Sequence, residues 1–135
     1  MFSLDTHLLV VEDMKSIRSI LVTQLGLLGF KNITECDSGQ AAFQLLKSAQ
    51  YPIELVISDI EMPQGNGIDL LKLVRGDRQL KHLPFVIVSI VSKKELMLEA
   101  IRNGATGYIM KPFNPPSLAT QLGAAWKRHQ EIIAP

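Results

Sequence analysis

Hydrophobic residues follow two alternating patterns along the chain. Three nearly continuous apolar runs, residues 7–11, 53–58 and 85–89, are typical of strands buried on both faces, as in a parallel sheet. Shorter runs at residues 33–36 and 107–110 predict two further strands. After each run, apolar residues recur at three- and four-residue spacing, which predicts an amphipathic helix. The five predicted helices carry their apolar stripes within residues 17–28, 42–49, 68–74, 97–101 and 118–126.

Residues that favour helix ends punctuate this pattern. Ser38 and Ser92 are predicted N-caps, as is Asn114, which precedes a proline suited to a first helical turn. Gly29 and Gly104 follow predicted helices, where a left-handed C-cap residue is expected. The order strand–helix, repeated five times, predicts an α/β fold with a parallel sheet and helices on both faces.

Composition agrees with one globular domain. The 135 residues are 47% hydrophobic and contain no internal repeat, so residues 1–135 are predicted to form a single domain, with about 129–135 as a tail or the start of a linker. The formal net charge of +1 argues against a nucleic-acid-binding protein. No apolar run reaches the roughly 18 residues of a membrane-spanning helix. A single cysteine, Cys36, and the lack of a signal-peptide pattern predict a cytoplasmic protein.

Polar residues stand at the carboxyl ends of four predicted strands. Glu12 and Asp13 follow the first strand, Asp59 the third, Ser89 ends the fourth and Lys111 follows the fifth. In an open α/β sheet these strand ends meet at one edge, where ligands bind. The sequence therefore predicts that three carboxylates, one hydroxyl and one ammonium group come together.

This set of groups favours a metal site. Three neighbouring carboxylates raise one another's pKa, and a divalent cation would compensate their charge. Oxygen ligands without a nearby histidine or cysteine favour Mg²⁺ over Zn²⁺. Mg²⁺ suits phosphoryl transfer, in which Lys111 and Ser89 would bind phosphoryl oxygens and one carboxylate would act as nucleophile. No glycine-rich loop follows the first strand, which argues against a nucleotide or flavin site.

Each of these residues also has an ordinary structural explanation. Asp13 could cap the first helix, Glu12 could be an exposed loop acid, Asp59 could cap a turn before Pro63, and Lys111 could be a surface lysine. Each explanation is reasonable alone, but together they require separate strand ends to supply the set by accident. From the residues alone, both interpretations stand.

Four motifs occur in order along the chain: LVVED at 9–13, SDIEMP at 58–63 with Gly67 after it, VIVS at 86–89 and GATGYIMKPF at 104–113. With these motifs the chain resembles the receiver domain of bacterial two-component response regulators, including single-domain chemotaxis receivers. The resemblance covers about residues 7–128. It implies a flavodoxin-like, doubly wound sheet of five parallel strands in the order 2-1-3-4-5. The acidic pair is Glu-Asp rather than Asp-Asp, a common variation that keeps the charge.

The resemblance implies a role for each acidic residue. Asp59 is the expected phosphoacceptor, with a histidine kinase or histidine phosphotransfer protein as donor. Glu12 and Asp13 are expected to hold Mg²⁺, or Mn²⁺ in its place. Asp59 and the main-chain carbonyl of Glu61 complete the expected protein ligands.

The resemblance also implies a switch. Lys111 is expected to pair with the phosphoryl group, and its bond to Pro112 to be cis. Ser89 is the expected switch hydroxyl, and Tyr108 the aromatic residue whose rotamer follows it. The output partner or effector domain is expected to bind at about residues 93–128.

Two positions differ from the usual pattern of the family. Ile90 stands where the family often has a small residue, and its branched side chain predicts slow loss of the phosphoryl group. Glu61 stands two residues after the acceptor, where its charge would either guide or repel the attacking water. Ile90 and Glu61 are therefore predicted to tune the phosphoryl lifetime.

The predicted function is a Mg²⁺-dependent phosphoacceptor switch that catalyses its own phosphorylation and acts on no external substrate. One alternative is a degenerate receiver that serves as a constitutive interaction module, which the retained acidic, hydroxyl and lysine residues disfavour. The other is a hydrolase or phosphatase with an aspartyl nucleophile, for which the chain offers no cap and no added acid–base residue.

Overall fold

A computed structural model describes residues 1–48, 52–62 and 66–133. Five strands alternate with five helices, as the apolar pattern predicts. The strands are β1 (His7–Val11), β2 (Asn32–Cys36), β3 (Leu55–Asp59), β4 (Phe85–Ile90) and β5 (Gly107–Lys111). The helices are α1 (Lys15–Leu27), α2 (Gly39–Ser48), α3 (Gly67–Gly76), α4 (Lys94–Arg102) and α5 (Pro115–Ile133).

All neighbouring strands are parallel, and their order is β2-β1-β3-β4-β5. This confirms the expected fold and strand order. Strand β3 is buried along its whole length, whereas the edge strands β2 and β5 are half-exposed. Continuous burial explains why the central strands read as unbroken apolar runs in the sequence.

The sheet separates two hydrophobic cores, because successive strand residues point to opposite faces. Leu9 and Val56 lie in the core that includes buried residues of α2, α3 and α4. Leu8 and Leu55 lie in the core that includes buried residues of α1 and α5. The helices therefore cover both faces, as predicted.

Most of the predicted helix ends are confirmed. The Ala41 amide donates to Ser38 Oγ (3.1 Å), and the Ser117 amide donates to Asn114 Oδ1 (2.8 Å), so both predicted caps are present. Gly29 and Gly104 follow α1 and α4 with φ angles of 107° and 96°. This left-handed conformation is the one that glycine adopts without steric cost.

The structure corrects two of the predicted boundaries. Ser92 is not an N-cap, because the chain after β4 first forms a short 3₁₀ turn, Val91–Lys93, and α4 begins only at Lys94. The predicted tail from about residue 129 is helical as far as Ile133, and residues 134–135 lie outside the described part. The predicted stripe residue Ala49 and the motif residue Pro63 also lie outside it.

The N-terminal segment packs against α5. Phe2 is buried and meets Trp126 edge to face, with 5.1 Å between the ring centroids. The same ring stacks on His129 at 6.5 Å. These contacts cover the part of α5 around Trp126 and His129, whereas Ile132 and Ile133 at its end are about half exposed. Among the described helices, none has the length and apolar character that a membrane span requires.

Candidate metal and phosphoacceptor site

The strand register brings the predicted site residues to one edge of the sheet. Val11 of β1 pairs with Ser58 of β3, so Glu12 and Asp59 leave adjacent strands at the same level. Asp59 pairs with Val88, which places Ser89 one residue further along β4. Lys111 pairs with Ile90 at the end of β5. Parallel pairing thus produces the convergence that the strand-end argument predicts.

Three carboxylates form a compact cluster. Oxygen atoms of Glu12, Asp13 and Asp59 all lie within 4.8 Å of one another. Glu12 is only 2% exposed and Asp59 only 7%, while Asp13 is half-buried. Glu12 is therefore no exposed loop acid. Asp13 is no helix cap either, because the N-cap of α1 is Met14, which makes no side-chain capping bond.

Too few positive charges surround the three carboxylates to neutralise them. The nearest cation is the Lys111 ammonium, with Nζ 3.5 Å from Glu12 Oε1 and 3.4 Å from Asp59 Oδ2. Neither carboxylate oxygen of Glu12 has a hydrogen-bond partner within the described residues. Burial, assisted by neighbouring Asp59, raises the pKa of Glu12 to about 8. Buried acceptors without partners are costly, so this arrangement fits a bound divalent cation.

The donor set also fits the chemistry of Mg²⁺. All three side chains offer hard oxygen ligands, and the site opens to solvent through a cleft of about 570 Å³. Mg²⁺ keeps several of its waters and binds proteins through few carboxylates, which such a cleft permits. We call this space the acidic cleft; its lining includes Asp13, Asp59, Glu61, Ser89, Ile90 and Lys111.

Arg18 anchors the backbone at the acidic pair of Glu12 and Asp13. Its Nη1 donates to the main-chain carbonyl of Glu12 (2.7 Å), and its Nε bonds Glu35 Oε1 on β2 (3.0 Å). The side chain is 16% exposed. No motif predicts this role, because a bond to a backbone carbonyl does not depend on a recognisable pattern of residues. Arg18 therefore fixes the backbone from which Glu12 projects.

Gly67 and Asn66 shape the opposite wall of the cleft. Asn66 caps α3 by accepting a hydrogen bond from the Asp69 amide (2.9 Å), a role the sequence analysis missed. The Gly67 amide donates to the Ile60 carbonyl (2.9 Å). A Cβ atom at Gly67 would lie 2.3 Å from the Asp59 main-chain oxygen. Only glycine lets α3 begin this close to the end of β3.

The remaining predicted residues lie around the cleft in different ways. Ser89 is buried, and its Oγ donates to the Ile90 carbonyl (3.3 Å). Ile90 is 41% exposed at the cleft wall. The peptide bond between Lys111 and Pro112 is cis. Tyr108 lies apart from the cleft lining and packs, half-buried, against the core beneath α2, α3 and α4.

Residues 8–123 match the family described as "Response regulator receiver domain". This match covers most of the chain and all the residues of the acidic cleft. The chain belongs to the response regulator receiver domain family.

Relatives of this receiver domain include chemotaxis proteins. It is 39% identical over 121 residues to "Chemotaxis protein CheY-3" of Vibrio cholerae, covering 90% of this chain and 92% of that protein. It is 36% identical to "Chemotaxis protein CheY" of Pseudomonas aeruginosa, covering 90% and 96%. The crystal structure of the chemotaxis response regulator CheY4 of Vibrio cholerae aligns with a TM-score of 0.77 at 30% identity, covering 90% and 98%.

Family membership fixes the general role of the protein. Receiver domains are signalling switches rather than enzymes that act on external substrates. They bind Mg²⁺ at an acidic pocket, and they interact with histidine kinases or phosphotransfer proteins and with output partners. This receiver domain has an acidic cluster, formed by Glu12, Asp13 and Asp59, that fits such a pocket.

Proposed function

We propose that the protein is a Mg²⁺-dependent phosphoacceptor switch whose acceptor is Asp59. One observation carries the proposal: Asp59 ends the buried central strand beside Glu12, whose carboxylate has no hydrogen-bond partner among the described residues, and beside Lys111. A cluster of three carboxylates with one nearby ammonium group lacks positive charge. It is therefore suited to bind a metal cation together with a phosphoryl group. Mn²⁺ is the alternative ion.

The proposed reaction transfers a phosphoryl group from a phosphohistidine. An oxygen of the Asp59 carboxylate attacks phosphorus, the P–N bond breaks, and its electron pair remains with the imidazole, which then takes up a proton. Glu12, Asp13, Asp59 and the main-chain carbonyl of Glu61 would hold Mg²⁺, which neutralises charge on the transferring group. Lys111 pairs with a phosphoryl oxygen, and the Ser89 hydroxyl turns from the Ile90 carbonyl to donate to another.

The phosphodonor docks beside Lys111. An apolar groove of about 420 Å³ lies there, lined by Ile17 and Ile20 of α1 and by Pro112 and Phe113 after β5. A helix of a histidine kinase or histidine phosphotransfer protein would bury this exposed apolar surface. The groove borders the lysine that contacts Asp59, so docking would place the phosphohistidine near the acceptor.

The output surface lies on the neighbouring side of the molecule. Residues 93–128 include α4, β5 and most of α5. Reorientation of Ser89 at the end of β4 and of Tyr108 on β5 would change this surface for an output partner or effector domain. We place the switch in the bacterial cytoplasm as a single domain over residues 1–135, without direct binding to nucleic acid or membrane.

Intact mass measurement tests the proposed function. The protein is incubated with Mg²⁺ and acetyl phosphate beside an Asp59→Asn variant and a sample without metal. We expect one added phosphoryl group on the wild-type protein and none in either control. An adduct that persists in Asp59→Asn would contradict the assignment of the acceptor, and a wild-type protein that accepts no phosphoryl group would contradict the function.

Ile90 supports a further part of the proposal, slow loss of the phosphoryl group. Its side chain lines the acidic cleft next to Ser89, where it would shield a phosphoryl group on Asp59 from water. An Ile90→Ala variant should lose the phosphoryl group faster than the wild-type protein. Equal rates of loss would show that the side chain does not act as a screen.

A further inference from the structure

An ion pair crosses the rim of the acidic cleft. Lys93 Nζ lies 3.1 Å from Glu61 Oε1. Glu61 follows β3 and lines the cleft two residues after Asp59, whereas Lys93 ends the 3₁₀ turn that follows β4. The pair therefore joins the segment that carries the acceptor to the turn that leads into α4.

The pair contributes little to the stability of the fold. The Glu61 and Lys93 side chains are 51% and 41% exposed, and exposed ion pairs contribute little to stability because water screens them. Its position gives it a different importance. Lys111, the lysine in the cleft lining, is already engaged with Glu12 and Asp59. Lys93 is thus the cation that neutralises Glu61 at the opening.

We propose that the ion pair between Glu61 and Lys93 is a bridge over the acidic cleft that slows the attack of water on the phosphoryl group of Asp59. This inference rests on the proposed function. In the reaction that the bridge slows, a water oxygen attacks phosphorus and the bond between phosphorus and the Asp59 oxygen breaks. The carboxylate is restored, inorganic phosphate leaves, and a proton of the water passes to solvent or phosphate.

The bridge predicts how the Glu61 side chain affects the rate of hydrolysis. If Glu61 and Lys93 acted as independent charges near the phosphoryl group, neutralising the acid and neutralising the base would change the rate of hydrolysis in opposite directions. If they act as one bridge, removing either partner opens the rim and speeds hydrolysis. Both residues are positioning residues, because neither side chain has to touch the reacting atoms.

A double-mutant cycle tests the bridge. Wild-type protein, Glu61→Gln, Lys93→Gln and the double variant are loaded with acetyl phosphate and Mg²⁺, the donor is removed, and the phosphorylated fraction is followed by intact mass. We expect each single variant to shorten the half-life roughly two- to fivefold, the range that an exposed ion pair supports. The double variant should lose the group no faster than the single variants.

Two further variants serve as rescue and control. A charge swap, Glu61→Lys with Lys93→Glu, should return the half-life to within about twofold of the wild-type value, because the bridge is restored. Lys72→Gln and Glu131→Gln remove the same charges from exposed positions outside the cleft and outside residues 93–128, and they should leave the half-life unchanged. High salt should shorten the half-life of the wild-type protein more than that of Lys93→Gln.

Several results would overturn the bridge. They are opposite effects of the two single variants, additive effects in the double variant, or phosphorylated variants with unchanged half-lives. These results leave the proposed function intact, since the phosphoryl group is still accepted. A wild-type protein that accepts no phosphoryl group would instead overturn the proposed function, and the bridge with it.

Discussion

Two ionisable side chains at opposite ends of the sheet, half-buried Arg75 and buried Glu12, have opposite environments. Arg75, at the end of α3, donates hydrogen bonds to the Gly104 carbonyl (3.0 and 2.8 Å), the Leu83 carbonyl (2.7 Å), the Lys81 carbonyl (3.2 Å) and Thr106 Oγ1 (3.3 Å). Glu12, at the carboxyl end of β1, has no hydrogen-bond partner for its carboxylate within the described residues. The protein supplies hydrogen bonds to the Arg75 guanidinium, whereas the Glu12 carboxylate lacks them until a ligand binds.

This difference separates structural residues from functional ones. Burial lowers the pKa of Arg75, yet its ordinary value is so high that the guanidinium stays charged and fastens α3 to the turns before β4 and β5. Burial raises the pKa of Glu12 to about 8, which makes its charge costly until a cation arrives. An ionisable side chain whose hydrogen bonds the protein supplies stabilises the fold, whereas a buried carboxylate without such hydrogen bonds indicates a binding site.

The largest expected effect comes from removing the Arg75 guanidinium. Arg75→Ala removes a charged donor whose bonds to the Leu83 carbonyl and Thr106 are partly buried. Hydrogen bonds to charged groups contribute about 1.5–3 kcal/mol each, so we expect the free energy of unfolding to fall by about 3 kcal/mol. Urea denaturation measures the loss. Arg78→Ala, at an exposed position nearby, should change it by less than about 0.5 kcal/mol. Equal effects of the two variants would contradict the structural role of Arg75.

A smaller loss is expected where α3 begins near the cleft. In Gly67→Ala, the new methyl group would collide with the Asp59 carbonyl, so we expect a destabilisation of about 2 kcal/mol and weaker binding of Mg²⁺. Gly123→Ala is the matched control, because its methyl group meets nothing within 4 Å in α5. That control should stabilise the protein by up to about 1 kcal/mol. Denaturation and metal titration of both variants test this contrast.

Removing the ionisable group of Glu12 is expected to raise the free energy of unfolding rather than lower it. The folded protein holds the Glu12 proton up to about pH 8, whereas the unfolded chain releases it near the ordinary value of 4.5. The stability associated with this proton is therefore present below about pH 4.5 and is lost as the pH rises to about 8. Without metal at pH 8, Glu12→Gln should be more stable than the wild-type protein by about 1–2 kcal/mol.

Denaturation curves in the presence of a chelator measure this gain at several pH values. The advantage of Glu12→Gln should shrink as the pH falls toward 5, and added Mg²⁺ should stabilise the wild-type protein more than the variant. If the wild-type protein is the more stable of the two at pH 8 without metal, the Glu12 carboxylate is not a strained group.

The smallest change in the free energy of unfolding is expected from an exposed ion pair. Lys31 Nζ lies 3.3 Å from Asp5 Oδ1, but the two side chains are 71% and 79% exposed. Lys31→Ala should therefore change the free energy of unfolding by less than about 0.5 kcal/mol. A loss comparable with that of Arg75→Ala would show that burial does not set the importance of an ion pair here.

The sequence predicted what depends on the alternation of apolar and polar residues. The five strands, their parallel pairing and the convergence of Glu12, Asp59 and Lys111 follow from apolar runs and from the groups that stand at strand ends. These predictions succeed because burial on both faces leaves a strong signal in the sequence. The strand order, in contrast, came from the resemblance to the family.

The features that were missed depend on contacts between distant segments. Arg18 and Arg75 bind backbone carbonyls, and a carbonyl carries no information about the residue it belongs to. Ser92 has the composition of an N-cap, but the tight turn after β4 moves the start of α4 beyond it. Phe2 packs on Trp126 and His129 of α5, a contact across almost the whole length of the chain that no local pattern predicts.

The contact between Phe2 and Trp126 gives the protein an optical probe of its own. Trp126 is the single tryptophan, so its emission comes from one known place, at the end of α5. Its ring lies against the N-terminal segment rather than in the lining of the acidic cleft. Changes in its fluorescence will therefore report detachment of the two chain ends from each other, and ion binding will have to be followed by a signal from the cleft itself.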